Sequence, residues 1–208
     1  MKLIKRLAAL LFPPKCVLCG RLLEKEETDL CHHCRIHAPE CPVLNSKYPY
    51  LNSWVALWYY EDTVRRSLLR YKFYGKRNRG TNFGRLLAMH LLQRKYTDFD
   101  VLTWVPLSAA KFKKRGYDQV EQIGKAVSRE LGQPLTPTLK KVRDTSTQST
   151  LETLDARRAN VLGAYVVTDP EAVKDKRVLL LDDVITTGST ASECAKTLLF
   201  SGAKEVYC

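Results

Sequence analysis

Apolar and polar residues follow strand-like and helix-like patterns in turn from residue 53 to the end of the chain. Short apolar or β-branched runs predict strands at 53–60, 101–105, 164–168, 177–181 and 205–208. Apolar residues three or four positions apart predict helices at 63–74, 81–96, 119–131 and 189–201. Strands that alternate with helices indicate an α/β fold with an open, mainly parallel sheet and right-handed crossovers.

The first eleven residues are basic and then apolar. Lys2, Lys5 and Arg6 precede the apolar run at 7–12, which stops at Pro13 and Pro14. This run is too short for the core of a secretory signal, so it predicts an amphipathic helix in a cytoplasmic protein. Two roles stay open for the helix: packing on its own domain, or a peripheral contact with an acidic membrane surface.

Five of the seven cysteines lie within residues 16–41, and four of them form two Cys-x-x-Cys pairs. Cys16 and Cys19 are separated by eleven residues from Cys31 and Cys34. Two such pairs let four thiolates converge on a structural Zn²⁺, whereas a disulfide framework would require secretion. We therefore predict a zinc-binding module over 1–45, with a proline-rich connection at 38–52, and a larger domain over 46–208.

The run from 178 to 190 carries the most informative chemistry. A continuously apolar strand ends at Asp182 and Asp183, and a loop rich in threonine, glycine and serine then leads into a helix. Helix N-termini and hydroxyl groups bind phosphate, while carboxylates accept hydrogen bonds from vicinal hydroxyls. The arrangement therefore predicts a ribose 5-phosphate site. The alternative is an ordinary strand–turn–helix, but two acids at the end of a buried strand are costly without a use.

Composition and charge narrow the class of partner. The chain has 208 residues, 45% of them hydrophobic and 27% charged, which excludes a collagen-like or largely disordered protein. Lys and Arg number 34 against 22 Asp and Glu, so the net charge of +12 favours an anionic partner. Residues 61–80 hold seven bases and two acids, and residues 111–115 hold four bases.

Bases and aromatic residues near each other in sequence favour single-stranded nucleic acid. The predicted contacts are Arg65, Arg66, Arg70, Lys72, Lys76 and Arg77, beside Trp54, Trp58, Tyr59, Tyr60, Tyr71 and Tyr74. The alternative is that the aromatic residues are core and the bases a solvated face. The bases at 111–115 have a rival use in binding pyrophosphate.

The phosphate run resembles the 5-phosphoribosyl-1-pyrophosphate (PRPP) loop of type I phosphoribosyltransferases. Together with other motifs it is similar to the ComF family, competence-associated proteins with a zinc-binding N-terminus and a phosphoribosyltransferase domain. The shared motifs are the two cysteine pairs, Tyr71-Lys72-Phe73-x-Gly75, Val105-Pro106-Leu107, Lys114-Arg115-Gly116-Tyr117-Asp118-Gln119, Thr147-Gln148-x-x-Leu151 and Arg157-x-x-Asn160. Domains of this family usually continue beyond the position of Cys208.

The resemblance implies roles for individual residues. Asp182 and Asp183 would bind the ribose hydroxyls, and the 5-phosphate would be held by Thr186, Thr187, Gly188, Ser189 and Thr190. A pyrophosphate loop would include Ser108 and Ala109, with Lys111 and Arg115 after it. Residues 145–160 would form a mobile loop whose Gln148, Arg157 and Arg158 reach the diphosphate. Mg²⁺ would accompany the diphosphate.

Three functions compete, and no catalytic residue is assigned. The first is a protein that binds PRPP or a nucleotide and handles single-stranded DNA in natural transformation, which we favour. The second is an active phosphoribosyltransferase, because the Asp-Asp-Val-Ile-Thr run is most similar to the orotate enzyme. The third is a structural adaptor for a competence helicase, which leaves Asp182 and Asp183 unexplained. A homo-oligomer is compatible with each.

Overall fold

The fold is described by a computed structural model that covers residues 13–41, 44–45, 48–73, 78–145 and 153–208. The predicted amphipathic helix at the N-terminus lies outside these residues. Within them, no helix is both long enough and apolar enough to cross a lipid bilayer.

Seven helices and seven strands are described. The helices are α1 (His32–His37), α2 (Asp62–Phe73), α3 (Arg79–Gln93), α4 (Ala109–Arg115), α5 (Gln119–Leu131), α6 (Leu154–Val161) and α7 (Ser189–Phe200). The strands are β1 (Leu44–Asn45), β2 (Ser53–Trp54), β3 (Val101–Trp104), β4 (Leu139–Lys141), β5 (Tyr165–Val167), β6 (Arg177–Leu181) and β7 (Glu205–Tyr207).

The main sheet has the order β1-β2-β7-β6-β3, with β6 in its buried interior. The pairs β2–β7, β7–β6 and β6–β3 are parallel, and only β1 runs antiparallel, to β2. Successive residues of β6 point to opposite faces, so Leu179 and Leu181 pack with α2, α3 and α5, whereas Val178 and Leu180 pack with α7. Helices on both faces of a mainly parallel sheet confirm the predicted α/β class.

Several elements differ from the sequence prediction. The bounds of α5 and β6 agree with it, but the strand expected at 53–60 ends at Trp54. Of the aromatic residues that follow, Trp58 and Tyr60 are partly buried against the core, and the ring of Trp58 meets the ring of Phe83 edge-on at 6.4 Å, whereas Tyr59 is exposed. The segment expected at 164–168 pairs antiparallel with β4 in a separate two-stranded sheet. Helices α4 and α6 and strand β4 were not predicted.

Residues 13–41, here called the cysteine module, pack against α2 and α3. The Ser67 hydroxyl and the Arg79 guanidinium both donate to the Val17 carbonyl, the latter at 2.9 Å. Buried Asp29 accepts hydrogen bonds from Asn82 and Arg85. Apolar residues of the module and of these helices form one cluster, so the module shares its core with the sheet domain.

Candidate functional site

The carboxyl end of β6 delivers two carboxylates into a cleft. Asp183 accepts a hydrogen bond from the Lys72 ammonium at 2.9 Å and another from the Gln119 side-chain amide at 2.7 Å. The Asp183 side chain is 8% exposed and that of Lys72 17%, so this is a buried ion pair. Asp182 accepts from the Asp183 backbone N–H at 2.8 Å, which fixes the turn between the two acids.

Burial affects the pKa values of Lys72 and Asp182 at this end of the cleft. Burial alone would lower the pKa of Lys72, but the charge and hydrogen bond of Asp183 outweigh it and raise that pKa. Burial and the neighbouring Asp183 charge raise the pKa of Asp182 to about 7. A ligand that donates hydroxyl hydrogen bonds to Asp182 would supply the stabilisation that this carboxylate lacks.

The loop after the acids leads into α7 and has a conformation that only glycine adopts readily. Gly188 has φ +71°, and a Cβ on it would overlap the Tyr48 ring. The Tyr48 hydroxyl donates to the Thr186 carbonyl at 3.0 Å, so the ring closes one side of the loop. The hydroxyls of Thr187 and Ser189 are hydrogen-bonded at 2.9 Å. The loop thus presents hydroxyls and the start of a helix to the cleft.

The cleft has a volume of about 670 Å³, within the usual range for a small-molecule site. The acids and the whole 186–190 loop line it. Among the residues that the structure describes, the basic side chains lining the cleft are Lys72, Lys111, Lys114, Arg115, Lys141 and Arg157.

Two of these lysines are held close to other positive charges. The Lys111 ammonium donates to the Thr145 carbonyl at 3.3 Å, and the Lys141 ammonium donates to the Thr145 hydroxyl at 2.7 Å. The ammonium of Lys141 also lies 5.1 Å from the centre of the Tyr165 ring. Burial, reinforced by the Lys111 charge, lowers the pKa of Lys141 to about 8, and burial also lowers that of Lys111. A bound polyanion would relieve this repulsion.

The structure brings together most residues that the sequence proposed for the phosphate and diphosphate, but not all. The buried Ser108 hydroxyl accepts from the Lys111 backbone N–H and caps α4, so it serves the helix and does not line the cleft, and Ala109 is exposed. Part of the segment expected as a mobile loop forms α6, which positions Arg157. Gln148 lies outside the described residues.

Two motifs that are distant in sequence meet at the cleft. The Tyr117 hydroxyl donates to the Tyr71 carbonyl, and the Tyr71 hydroxyl donates to the Gln119 carbonyl at 2.7 Å. The next residue along α2, Lys72, shares Asp183 with the Gln119 side chain. The contacts fix the end of α2 against the start of α5.

Sequence reasoning missed Tyr48, Lys141 and the role of Gln119. The adjacent bases Lys140 and Lys141, directly before the proposed mobile loop, were the available signal for the second of these. Nothing local to Tyr48 indicates a contact with Gly188, because the two are far apart in the chain.

The bases predicted for nucleic acid have different surroundings. Arg65 and Arg66 are exposed on α2, whereas Lys72 is buried in its ion pair with Asp183. The Arg70 guanidinium donates to the Leu18 carbonyl of the cysteine module at 3.4 Å. Lys76 and Arg77 lie outside the described residues. Of the aromatic residues proposed beside them, Tyr71 is fully buried.

The four paired cysteines form one cluster. The Sγ atoms of Cys16, Cys19, Cys31 and Cys34 all lie within 4.8 Å of one another, and those of Cys19 and Cys31 are 3.7 Å apart. Four sulfurs at about 2.3 Å from one Zn²⁺ would lie about 3.8 Å apart, so the spacing fits a tetrahedral ion such as zinc. Backbone N–H groups of Arg21 and Cys34 point at the Cys19 and Cys31 sulfurs, as thiolate ligands require.

The cleft acids and the phosphate loop lie in a part of the chain that matches a known family. Residues 121–208 match the family model of the phosphoribosyl transferase domain. A solved glutamine phosphoribosylpyrophosphate amidotransferase from Bacillus subtilis is similar at 22% identity and a TM-score of 0.45, over 66% of this chain and 29% of that one.

Curated relatives match over most of their length. Competence protein F of Haemophilus influenzae is 30% identical over 85% of this chain and 81% of its own. Competence protein ComFC of Streptococcus pneumoniae is 28% identical over 92% of this chain and 96% of its own. DNA utilization protein YhgH of Escherichia coli is 28% identical over 93% of this chain and 88% of its own. This extent of similarity, together with the phosphoribosyl transferase domain, places the chain in the ComF family.

Proposed function

We propose that the cleft binds PRPP, or a related ribose phosphate that carries a diphosphate, together with Mg²⁺. One observation carries this proposal: the acids that end β6, the phosphate loop and six basic side chains all line a single cleft. The ribose hydroxyls would donate to Asp182 and Asp183, the 5-phosphate would occupy the 186–190 loop, and the diphosphate would contact the basic side chains. Mg²⁺ would offset part of the diphosphate charge.

Calorimetric titration with PRPP and Mg²⁺ tests this proposal. Replacement of Asp182 and Asp183 by asparagine removes charge-assisted acceptors worth roughly 1.5–3 kcal/mol each, so we expect at least a tenfold loss of affinity. The control pair Asp98→Asn and Asp100→Asn removes two more exposed acids, which contact Arg177 near the other end of β6. Because Asp183→Asn also leaves Lys72 without its counter-charge, urea unfolding of the cleft variant measures that separate cost. Equal PRPP affinity in the parent and the cleft variant would refute the assignment.

We further propose that the four cysteines hold a structural Zn²⁺ and that the protein acts in the cytoplasm, where thiols stay reduced. Three of the four are buried, and the four-sulfur set leaves no position for a substrate. One zinc ion per chain in protein purified without chelators is the expected result of metal analysis, and a metal-free folded protein would contradict it.

We propose a role for the protein in DNA uptake or use during competence, in which it handles single-stranded DNA. The relatives are named as competence proteins and DNA utilization proteins, which supports this role, and so does the net charge of +12. Binding of a labelled single strand at low salt tests it. Affinity should fall steeply with salt, because each neutralised phosphate releases roughly 0.7 counterion.

Catalytic turnover of PRPP is the second candidate function. The match of residues 121–208 to the transferase domain favours it. Incubation of the protein with PRPP, Mg²⁺ and orotate or other nucleobases tests it through release of diphosphate. Turnover without any affinity for DNA would favour a role in nucleotide metabolism instead.

A further inference from the structure

Helix α4 is unusual because it packs almost none of its surface. None of its seven residues is buried, and it contains no acidic residue. Four of the seven are bases, and the Phe112 side chain between them is 49% exposed. The side chains of Lys113 and Lys114 make no hydrogen bond or ion pair with any residue that the structure describes. A helix face that is only solvated would explain the bases but not the exposed ring of Phe112.

A second exposed aromatic ring lies beside this helix. Phe73, the last residue of α2, is 65% exposed at the rim of the cleft. The guanidinium carbon of Arg115 lies 5.2 Å from the centre of the Phe73 ring, and the Gln119 side chain holds the same guanidinium. The ring and the cation are therefore fixed together where α2 ends and α4 ends.

The outer face of α2 lacks this combination. Arg65 and Arg66 are exposed there, but Arg66 donates to the Thr63 hydroxyl at 3.0 Å, and the Tyr71 ring of this helix is buried. Tyr59, which is 45% exposed, lies before the helix begins at Asp62. Exposed rings interleaved with bases, which the structure shows at α4, are what single-stranded nucleic acid requires.

We propose that α4 and Phe73 form a seat for single-stranded DNA at the mouth of the cleft. Backbone phosphates lie against Lys113 and Lys114, one base stacks on Phe112, and another stacks on the Phe73 ring beside Arg115. This seat rests on the proposed handling of single-stranded DNA and places it on α4, where the sequence alone favoured α2.

Fluorescence anisotropy with a labelled oligothymidine of about 20 nucleotides at low salt tests the seat. The variant Phe112→Ala, Lys113→Ala should bind roughly five- to 100-fold more weakly, which is the loss of one stacked base and one phosphate contact. Its dependence on salt should be flatter by about 0.7 in the logarithmic slope. Neither residue lines the cleft, so PRPP affinity should stay that of the parent.

The chain offers a matched control on α7. The Lys196 ammonium lies 5.6 Å from the centre of the Phe200 ring, and Phe200 is 76% exposed. The variant Lys196→Ala, Phe200→Ala removes the same charge and a more exposed ring, and it should bind the strand as the parent does. A base-paired duplex should lose less affinity than the single strand in the α4 variant, because its bases are already stacked.

Three results would overturn the seat on α4. They are an unchanged affinity in the α4 variant, an equal loss in the α7 control, and an equal loss with the duplex. A loss of affinity confined to the variant Arg65→Ala, Arg66→Ala would place the DNA strand on α2. An α4 variant that binds DNA normally but no longer binds an acidic protein partner would assign α4 to that partner. If the parent itself binds no DNA at low salt, the proposed DNA function fails before the seat is tested.

Discussion

In the cysteine module the buried acid is paired with side chains of the protein, whereas the cleft is lined by more bases than acids. Buried Asp29 accepts from Arg85 and Asn82, and Arg21 contacts both Glu24 and Glu27. The described lining of the cleft instead has six basic side chains and two acidic ones, and two of its lysines have lowered pKa values. The acids and bases named in the module are thus paired with other side chains of the protein, and the cleft keeps an excess of positive charge that an anion would neutralise.

This difference separates residues that serve stability from residues that serve binding. A polar group whose partners are all within the chain stabilises the fold, and its loss should lower the free energy of unfolding. A charge held without a counter-charge lowers stability slightly and is retained for a ligand. Substitutions in the module should therefore change stability, and substitutions in the cleft should change ligand affinity. Each of the variants below can contradict that division.

The largest effect is expected from loss of a cysteine ligand. Cys31→Ser should abolish metal binding and lower the free energy of unfolding by more than about 5 kcal/mol, because metal binding is coupled to folding. Since the module shares its core with α2 and α3, the loss should appear in the main unfolding transition, as a fall in Tm of about 10–20 °C. Scanning calorimetry and metal analysis measure both.

Cys41→Ser serves as the control for metal content. Cys41 is buried but lies outside the cluster of four sulfurs, so this variant should keep its ion. A Cys31→Ser protein with an unchanged main transition would show that the module folds independently of the sheet domain.

The second-largest effect on stability is expected at Lys72. This residue lines the cleft, but it is paired with another side chain of the protein, like the charged residues named in the cysteine module. Lys72→Met leaves Asp183 with only the Gln119 amide, and breaking a buried ion pair costs about 3–5 kcal/mol. Urea unfolding should detect this loss, whereas the exposed Lys113→Met should change stability by less than about 0.5 kcal/mol. Equal stability of the two variants would mean that the Lys72 pair is not structural.

The same residue shows what the sequence could and could not predict. The apolar periodicity of α5 and the unbroken apolar run of β6 placed these elements at their observed bounds, because both patterns are local. The sequence placed Lys72 in a basic helix. Which face of α2 is buried, however, depends on α5 and β6, and both are distant from α2 in the sequence. Helix α4 was missed for a related reason, since it buries nothing and has no apolar period.

The cleft residues divide in the same way. The acids and the phosphate loop form one continuous run of sequence, so their proximity was predictable. Lys141 reaches the cleft from β4, and Tyr48, in the segment before β2, contacts the phosphate loop that lines the cleft. Only the fold brings them there.

A third, smaller effect concerns the backbone of the phosphate loop. Gly188→Ala should lower the free energy of unfolding by about 2 kcal/mol, because its left-handed conformation and the Tyr48 ring both oppose a Cβ. The double variant Tyr48→Ala, Gly188→Ala relieves the contact but not the conformation, so it should stay about 1 kcal/mol less stable than Tyr48→Ala alone. Full recovery in this cycle would assign the whole cost to the ring.

The smallest effect should appear in binding and not in stability. The pKa of Lys141 is about 8 without a ligand, and a bound diphosphate should raise it, so binding should take up a proton. PRPP affinity should then fall as pH rises above about 8, by at most tenfold per pH unit for one proton. The phosphates of PRPP contribute little to this change, because their last pKa lies near 6.

Lys141→Arg isolates this lysine, because a guanidinium stays charged across the same pH range and also stacks on aromatic rings such as that of Tyr165. We expect the variant to keep its Tm and to show a flatter pH profile of affinity, measured by calorimetry between pH 7 and about 9.5. A residual slope would come from Lys111, whose pKa burial also lowers. If the parent and the variant have the same profile, the excess charge of the cleft does not act through Lys141, and the proton taken up must be held by another residue.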